Sequence, residues 1–283
     1  MSESESGRSA ERAGLYVVAT PIGNLGDFSV RAQEVLRGVE LIAAEDTRVS
    51  GRLLAHFGIR TPLIALHEHN ERERSEDLLA RLREGAAIAL ISDAGTPLIS
   101  DPGLPLVRAA RAAGIAVYAV PGPCAFVAAL SVSGLPTDRF VFEGFLPSRA
   151  AARRRRLTEL AAEPRTLIFY EAPHRIVDTL TDMADVFGAT REAAISRELT
   201  KLHETVHAGP LGDLIAPAQA ETRGEWVVVV AGRAQPPSAS ADIERTLEIL
   251  AAELPLKQAA ALTAKLTGAA KNDVYALGLR KKR

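Results

Sequence analysis

Between residues 86 and 110 the chain reads AAIALISDAGTPLISDPGLPLVRAA, and this stretch constrains the fold more than any other. Its opening, 86–91, is apolar throughout, as in a strand covered on both faces. It stops at Ser92-Asp93-Ala94-Gly95-Thr96-Pro97, passes a second turn at Ser100-Asp101-Pro102-Gly103, and opens a helix rich in Leu, Val and Ala. An apolar strand feeding a loop that exposes backbone, with a carboxylate at its head, is how a doubly wound α/β sheet builds a small-molecule site. Gly95 removes the side chain that would keep a ligand off the backbone. Asp93 supplies an acceptor for an amine or hydroxyl. Asp101 reads as the N-cap of the next helix, with Pro102 at its first position.

The same rhythm recurs around this segment. Strands at 15–19, 41–44, 62–66, 86–91 and 115–120 alternate with helices that start at Asp27 or Ser29, after Arg48 and near Glu71, the pattern of a parallel α/β domain. After Pro121 the rhythm changes. A helix at 124–132, a strand at 139–145, a basic helix at 150–162, a strand at 166–170 and a helix near 176–186 precede strands near 192–196, 204–208 and 226–230. Strands in succession without helices predict a second, mixed domain with antiparallel pairs. A Pro/Ser-rich linker at 235–240 leads to three short helices at 243–252, 257–266 and 271–279. The expected organisation is a disordered tail (1–13), an N-terminal α/β domain (14–121), a second α/β domain (122–233) and a small C-terminal helical domain (241–283).

The 283 residues are 47% apolar, and 34 basic against 35 acidic residues give a formal charge of -1, so bulk charge announces no polyanionic partner. Local charge does differ, in Arg153–Arg156 and in Arg280-Lys281-Lys282-Arg283. A single cysteine, Cys124, excludes an internal disulfide and a multi-cysteine metal site, and fits a reducing compartment. His67 and His69 lack a third ligand, so no metal is expected. No apolar stretch reaches the length of a membrane span, and the N-terminus lacks the apolar core of a signal peptide. The expected location is cytoplasmic, with no membrane partner.

Further segments carry chemistry. Thr20-Pro21-Ile22-Gly23-Asn24 follows the first strand and is neither a GxGxxG fingerprint nor a Walker loop. Pro121-Gly122-Pro123-Cys124-Ala125 is a rigid turn into a helix start whose free N–H groups suit an anion, or an interdomain hinge. Cys124 itself reads as a small packing residue rather than a nucleophile. Polar sets at 45–48, 67–70, 170–175 and 197–201 each sit where a strand ends, as reactive groups do in open sheets; caps and salt bridges are the plainer alternative. Four adjacent arginines repel one another on a helix, so Arg153–Arg156 is either a solvated face or a contact for a phosphate-rich partner.

In combination, VATPIGNLGD, AAEDTR, SDAGTPLISDPG, VPGPCA, FYEAPHR and RELTKLHE resemble the ribosomal RNA small-subunit methyltransferase I family of the tetrapyrrole-methylase-like superfamily, over about Gly14 to Gly232. The resemblance implies two α/β domains of the tetrapyrrole methylase type, S-adenosyl-L-methionine in the cleft between them, a small C-terminal helical module and a homodimer. The implied reaction is 2′-O-methylation of a cytidine in the decoding centre of 16S rRNA in the small ribosomal subunit. Carried onto this chain, the cofactor site comprises Thr20, Pro21, Asp93, Gly95, Thr96, Ile99, Cys124 and Ala125, with Tyr170 as a further wall. The first loop departs from the glycine-rich loop of other superfamily members, which weakens the alternative of a tetrapyrrole C-methyltransferase. A non-catalytic S-adenosylmethionine-binding module is the second alternative.

A ribose hydroxyl is a poor nucleophile, so a base or a charge-stabilising group must accompany its attack. Glu45 and Asp46 are the candidates, with Arg48 and Arg175 on the phosphates beside the target ribose; Glu68 and Glu171 are not separated from them by sequence. Arg153, Arg154, Arg155, Arg156, Arg175 and Lys201, with the 280–283 tail, are the expected RNA contacts.

Overall fold

The structure, a computed structural model, describes residues 12–221, 223–233 and 239–281. The expected tail up to residue 11, most of the linker, Lys282 and Arg283 lie outside the described residues. Five parallel strands, β1 (Gly14–Val18), β2 (Leu41–Ala44), β3 (Leu63–Ala65), β4 (Ala87–Ile91) and β5 (Val117–Val120), form the first sheet in the order β3-β2-β4-β1-β5. Every residue of β2 and β4 is buried because helices cover both faces. On one face α1 (Val30–Gly38) and α2 (Thr47–His56) bring Val35, Leu36 and Leu54 against Val18, Ile42 and Ile91. On the other, α3 (Glu71–Arg83) and α4 (Leu104–Ala112) bring Leu78, Leu82 and Leu106 against Leu15, Ile88 and Leu90. Each such fully buried Leu or Ile contributes about 1.5–3 kcal/mol of transfer free energy.

The helix starts follow local chemistry. Ser29 Oγ accepts the Ala32 N–H at 3.1 Å to open α1, and Asp46 Oδ1 accepts the Arg48 N–H at 2.8 Å to open α2. The start of α4 corrects the sequence reading. Its N-cap is Gly103 rather than Asp101, and the proline in its first turn is Pro105 rather than Pro102. Gly103 N–H is held by the Glu71 carboxylate, so the loop needs no cap from Asp101.

The second sheet contains β6 (Phe140–Phe145), β7 (Thr166–Glu171), β8 (Glu192–Arg197), β9 (Thr205–Pro210) and β10 (Trp226–Val230), in the order β6-β7-β10-β8-β9. Only β6 and β7 run parallel; the other pairs are antiparallel. Alternation along β10 divides two cores. Val227 and Val229 pack with α5 (Ala125–Val132), whereas Trp226, Val228 and Val230 join Leu157, Leu180 and Leu211 of α6 (Ala150–Leu160), α7 (Ile176–Phe187) and α8 (Leu211–Ala220). Helix α8 was not expected, since β9 and β10 read as successive strands. Pro217 lies inside it and masks an apolar spacing of Leu211, Leu214, Ile215 and Ala218.

The tetra-arginine run has a structural cause. Arg153 is 5% exposed, and its Nε donates to Asp182 Oδ2 on α7 at 2.7 Å. Arg154 donates to Asp182 Oδ1 at 2.7 Å and to Asp185 at 3.0 Å, while Arg156 reaches Glu143 at 2.7 Å and Glu159 at 2.9 Å. The expected mutual repulsion is thus cancelled by carboxylates from α7, β6 and α6 itself. Arg153 is removed from the set of RNA contacts because its guanidinium is inside the protein. Arg155 is exposed and has no carboxylate partner among the described residues.

Both sheets belong to one compact unit, and a second begins at Arg233. In the second, α9 (Ala239–Glu253), α10 (Leu256–Thr267) and α11 (Lys271–Lys281) close around Leu247, Ala259, Ala260 and Val274. Gly268 ends α10 in the left-handed conformation expected after a helix.

Candidate active site

The loops after β1, β4 and β5 are tied together at the carboxyl edge of the first sheet. Thr20 and Gly95 exchange two backbone hydrogen bonds, at 2.8 and 3.1 Å, and Thr20 Oγ1 donates to Ser92 O at 3.1 Å. Thr96 Oγ1 donates to Pro123 O at 3.0 Å, and the Phe126 N–H of α5 donates to the Tyr170 hydroxyl at 3.2 Å. Gly95 has φ +86°, and a Cβ there would stand 3.2 Å from Ile22 Cγ2, so the tight approach of these loops requires glycine.

A cavity of about 460 Å³ opens where this edge meets the ends of β6 and β7 and the start of β10. That volume falls within the roughly 300–1,000 Å³ of small-molecule sites. Asp93, Gly95, Thr96, Ile99, Cys124, Ala125 and Tyr170 all line it. Thr20 and Pro21 do not; both are buried behind the wall, where Thr20 fixes the position of Gly95. Sequence reasoning placed Asp101 as a cap and Leu199 only within the 197–201 polar set, and it did not single out Phe145, Glu225 or Trp226; all five line the space. Trp226 had no polar motif to mark it, and Asp101 was read as a cap.

Five lining residues are carboxylates (Glu45, Asp93, Asp101, Glu171 and Glu225), and none is Lys, Arg or His. Burial raises Glu45 above the usual carboxylate range, and the neighbouring Asp93 charge adds to it. Asp93 is raised mainly by burial, although its Oδ1 accepts the Asp46 N–H at 3.0 Å. Burial pushes Asp101 up to about 7, helped by Glu45 and Asp93 and opposed by the Ser92 hydroxyl beside it. Burial also raises the Tyr170 hydroxyl.

The other expected catalytic groups are placed differently. Asp46 lies off the cavity wall, and its carboxylate is held far below its ordinary value by Arg48, whose Nη2 is 2.6 Å away. Glu171 is buried beneath Thr179 Oγ1 at 2.6 Å, with Arg175 Nε 3.4 Å away. Arg175 Nη2 donates to the carbonyls of Leu146 and Pro147 at 2.8 and 3.2 Å, so its guanidinium locks the segment after β6 to the end of β7. This corrects its reading as a phosphate clamp. Lys201 is also engaged, 2.8 Å from Glu198 and 3.2 Å from Glu225.

The Asp101 shift has a consequence for stability. The folded carboxyl titrates near 7 and the unfolded one near 3.8, so the folded state binds more protons between those values and stability falls as pH rises across that window. Asp101→Asn should therefore be more stable than the parent at pH 8, by about 1–2 kcal/mol once solvent access is discounted. The difference should vanish near pH 4. Urea unfolding at both pH values checks this, and a gain of equal size at the two would show that charge is not its source.

Comparison with known proteins places this geometry. Residues 14–215 match the family described as Tetrapyrrole (Corrin/Porphyrin) Methylases, and residues 237–282 match the RsmI C-terminal HTH domain. The fold is shared with a uroporphyrin-III-C-methyltransferase from Thermus thermophilus, with a TM-score of 0.54 at 23% identity over 78% of this chain and 94% of that one. It is shared also with the methyltransferase CobJ, with a TM-score of 0.58 at 20% identity over 79% and 96%. Much closer in sequence is the ribosomal RNA small subunit methyltransferase I of Pseudomonas aeruginosa, 58% identical over 94% of this chain and 97% of that protein. The Escherichia coli O157:H7 protein of the same name is 54% identical over 94% of each. The chain belongs to the ribosomal RNA small subunit methyltransferase I family.

Proposed function

We propose that this chain transfers a methyl group from S-adenosyl-L-methionine to the ribose 2′-hydroxyl of a cytidine in the decoding centre of 16S rRNA, with the small ribosomal subunit as substrate. The observation that carries this reading is the cavity wall, five carboxylates without a basic residue between apolar surfaces such as Ile22, Ile99 and Val227. A ligand bearing a sulfonium and an ammonium beside an aromatic base suits that lining, because buried carboxylates favour a cation and the apolar walls a flat ring. Asp93, Gly95, Thr96, Ile99, Cys124, Ala125 and Tyr170 would hold the cofactor, with Thr20 and Pro21 supporting the wall. The cofactor supplies an electrophilic methyl group on sulfur.

The same lining weighs against the tetrapyrrole alternative. Tetrapyrrole precursors carry several carboxylates, which would meet like charge here with no cation to pair them. A nucleic-acid substrate instead keeps its phosphates outside the cavity. Phe145, 55% exposed where it lines the space, offers a ring on which a base can stack. Arg155 and the solvent-facing parts of Arg154 and Arg156 are the remaining candidates for phosphate contacts.

The test is transfer of label from S-adenosyl-L-methionine to small subunits that lack the modification, followed by mapping of the methylated ribose. One labelled cytidine ribose is expected. Tight cofactor binding with no transfer would instead support the non-catalytic binding module. Methyl transfer to a tetrapyrrole but not to subunits would restore the first alternative.

A further inference from the structure

We infer that Leu202, in the loop joining β8 to β9, is a wedge that enters the substrate rRNA beside the target nucleotide and keeps that nucleotide out of its base stack, a role that rests on the methyltransferase reading above. Leu202 is 93% exposed, more than any other large apolar side chain among the described residues. A single exposed leucine is ordinary on a protein surface. What sets this one apart is the loop that carries it. Glu198 at φ 50° and Thr200 at φ 67° occupy the left-handed region, where turns place glycine or asparagine. Such strain persists only where the surroundings over-determine it, and it gathers at ligand clamps and switch regions.

Here the loop is held from every side. Arg197 is 8% exposed; its Nε donates to Arg223 O at 2.8 Å, its Nη1 to His203 O at 3.3 Å, and its Nη2 lies 2.8 Å from Glu221. The Glu204 carboxylate accepts the Thr200 N–H, and the Lys201 N–H donates to Glu198 O at 2.9 Å. Lys201 Nζ reaches Glu198 and Glu225, while its stem lies so close over Gly23 that a Cβ there would strike Lys201 Cγ. Leu199 turns inward and packs with Ile22 and Val227. A slack loop lets an apolar tip fold back in the same way. This one holds Leu202 in water, with the ordering cost met before a partner arrives.

Position names the partner. Leu199, Glu225 and Trp226 all line the cavity. The base of the loop is stitched to this wall by the Glu198 N–H on Glu225 O at 3.1 Å and by the Glu225 N–H on Glu198 Oε1 at 3.2 Å. Leu202 follows three residues beyond the wall. A nucleotide stacked within folded RNA does not reach a space of about 460 Å³, and enzymes that work on one nucleotide draw it out of its stack. Proteins that part nucleic-acid bases do so with an apolar side chain, leucine among them, set between the steps. A second copy of the chain is the other occupant for a bare leucine. The neighbours of Leu202 in the loop, Lys201, His203 and Glu204, are polar or charged, unlike the apolar centre of a stable subunit interface.

Leu202→Ser and Leu202→Met test the role, and the exposure of the position lets both variants fold as the parent does. Leu202→Ser should bind S-adenosyl-L-methionine, measured by equilibrium dialysis, within about twofold of the parent. It should nevertheless transfer methyl to saturating small subunits at least about tenfold more slowly, the fold-change that corresponds to keeping one leucine from burial. Leu202→Met is an equally apolar wedge and should stay within about threefold of the parental rate. A Ser variant within about threefold of the parent, or a Met variant as slow as the Ser variant, overturns the assignment. So does a loss of rate that accompanies a change in the sedimenting species, which would place Leu202 between copies of the chain. A parent that itself moves no methyl to small subunits sinks the methyltransferase reading and the wedge with it, whereas an active parent with an equally active Ser variant sinks the wedge alone.

Discussion

Replacing Asp182 by alanine should remove about 3–5 kcal/mol of folding stability, the cost of leaving a buried charge without its partner. Asp182 is 7% exposed and receives two guanidinium groups at 2.7 Å, from Arg153 and Arg154. Arg154 is half-exposed and keeps Asp185, so it loses little. Arg153 cannot turn to water, because it lies among the residues joining α6 to α7. The loss should therefore shrink sharply when Arg153 is replaced as well. A double variant, Arg153→Met with Asp182→Leu, is expected to lie near the parent, since a well-packed apolar pair of similar volume often matches a buried ion pair. Urea unfolding of the single and double variants gives the coupling directly. A single-variant loss below about 1 kcal/mol would mean that Arg153 finds other acceptors in the relaxed protein. Arg155→Ala supplies the contrast. It should leave stability within about 0.5 kcal/mol and, if the residue touches phosphate, lower the salt slope of subunit binding by about one.

The arginine run shows where sequence reasoning reaches its limit. Periodicity placed α6 correctly, but the partners of its charges lie on α7, on β6 and a turn further along α6, and no local pattern announces a carboxylate 29 residues away. The alternating strands and helices were legible because each strand of the first sheet is apolar on both faces and the starts of α1 and α2 carry their own caps, Ser29 and Asp46. Helix α8 was hidden because Pro217 is a breaker in most contexts, and only the packing of Leu211 and Leu214 under the second sheet overrides it. The cavity wall was visible through Asp93, Gly95 and Thr96, whose residue types suit an open loop. Asp101 was misread for a physical reason. Asp-Pro-Gly is equally good chemistry for a helix cap and for a turn, and what decides between them is the long-range grip of Glu71 on Gly103.

Gly103→Ala should be the most damaging single-methyl change near the cavity, with a loss of about 2–5 kcal/mol from backbone strain and overpacking together. Gly103 has φ +122°, where a side chain is strained whatever space surrounds it, and a Cβ there would stand 2.5 Å from Leu90 Cδ2. Leu90 is 1% exposed in the middle of β4, between Leu15, Leu41 and Leu106, and its methyl group has nowhere to retreat. Gly114, just beyond the far end of α4, is the matched control. It also has a positive φ, +72°, but a Cβ there meets nothing within 4 Å, so Gly114→Ala should lose only the strain, about 1 kcal/mol. Thermal unfolding of the two variants separates the backbone contribution from the steric one, and equal losses would show that Leu90 gives way freely. Because Gly103 follows Asp101 by two residues, relief of its clash moves a segment that lines the cavity. Gly103→Ala is therefore expected to change the fluorescence of Trp226, which lines that cavity, as well as stability, whereas Gly114→Ala changes stability alone.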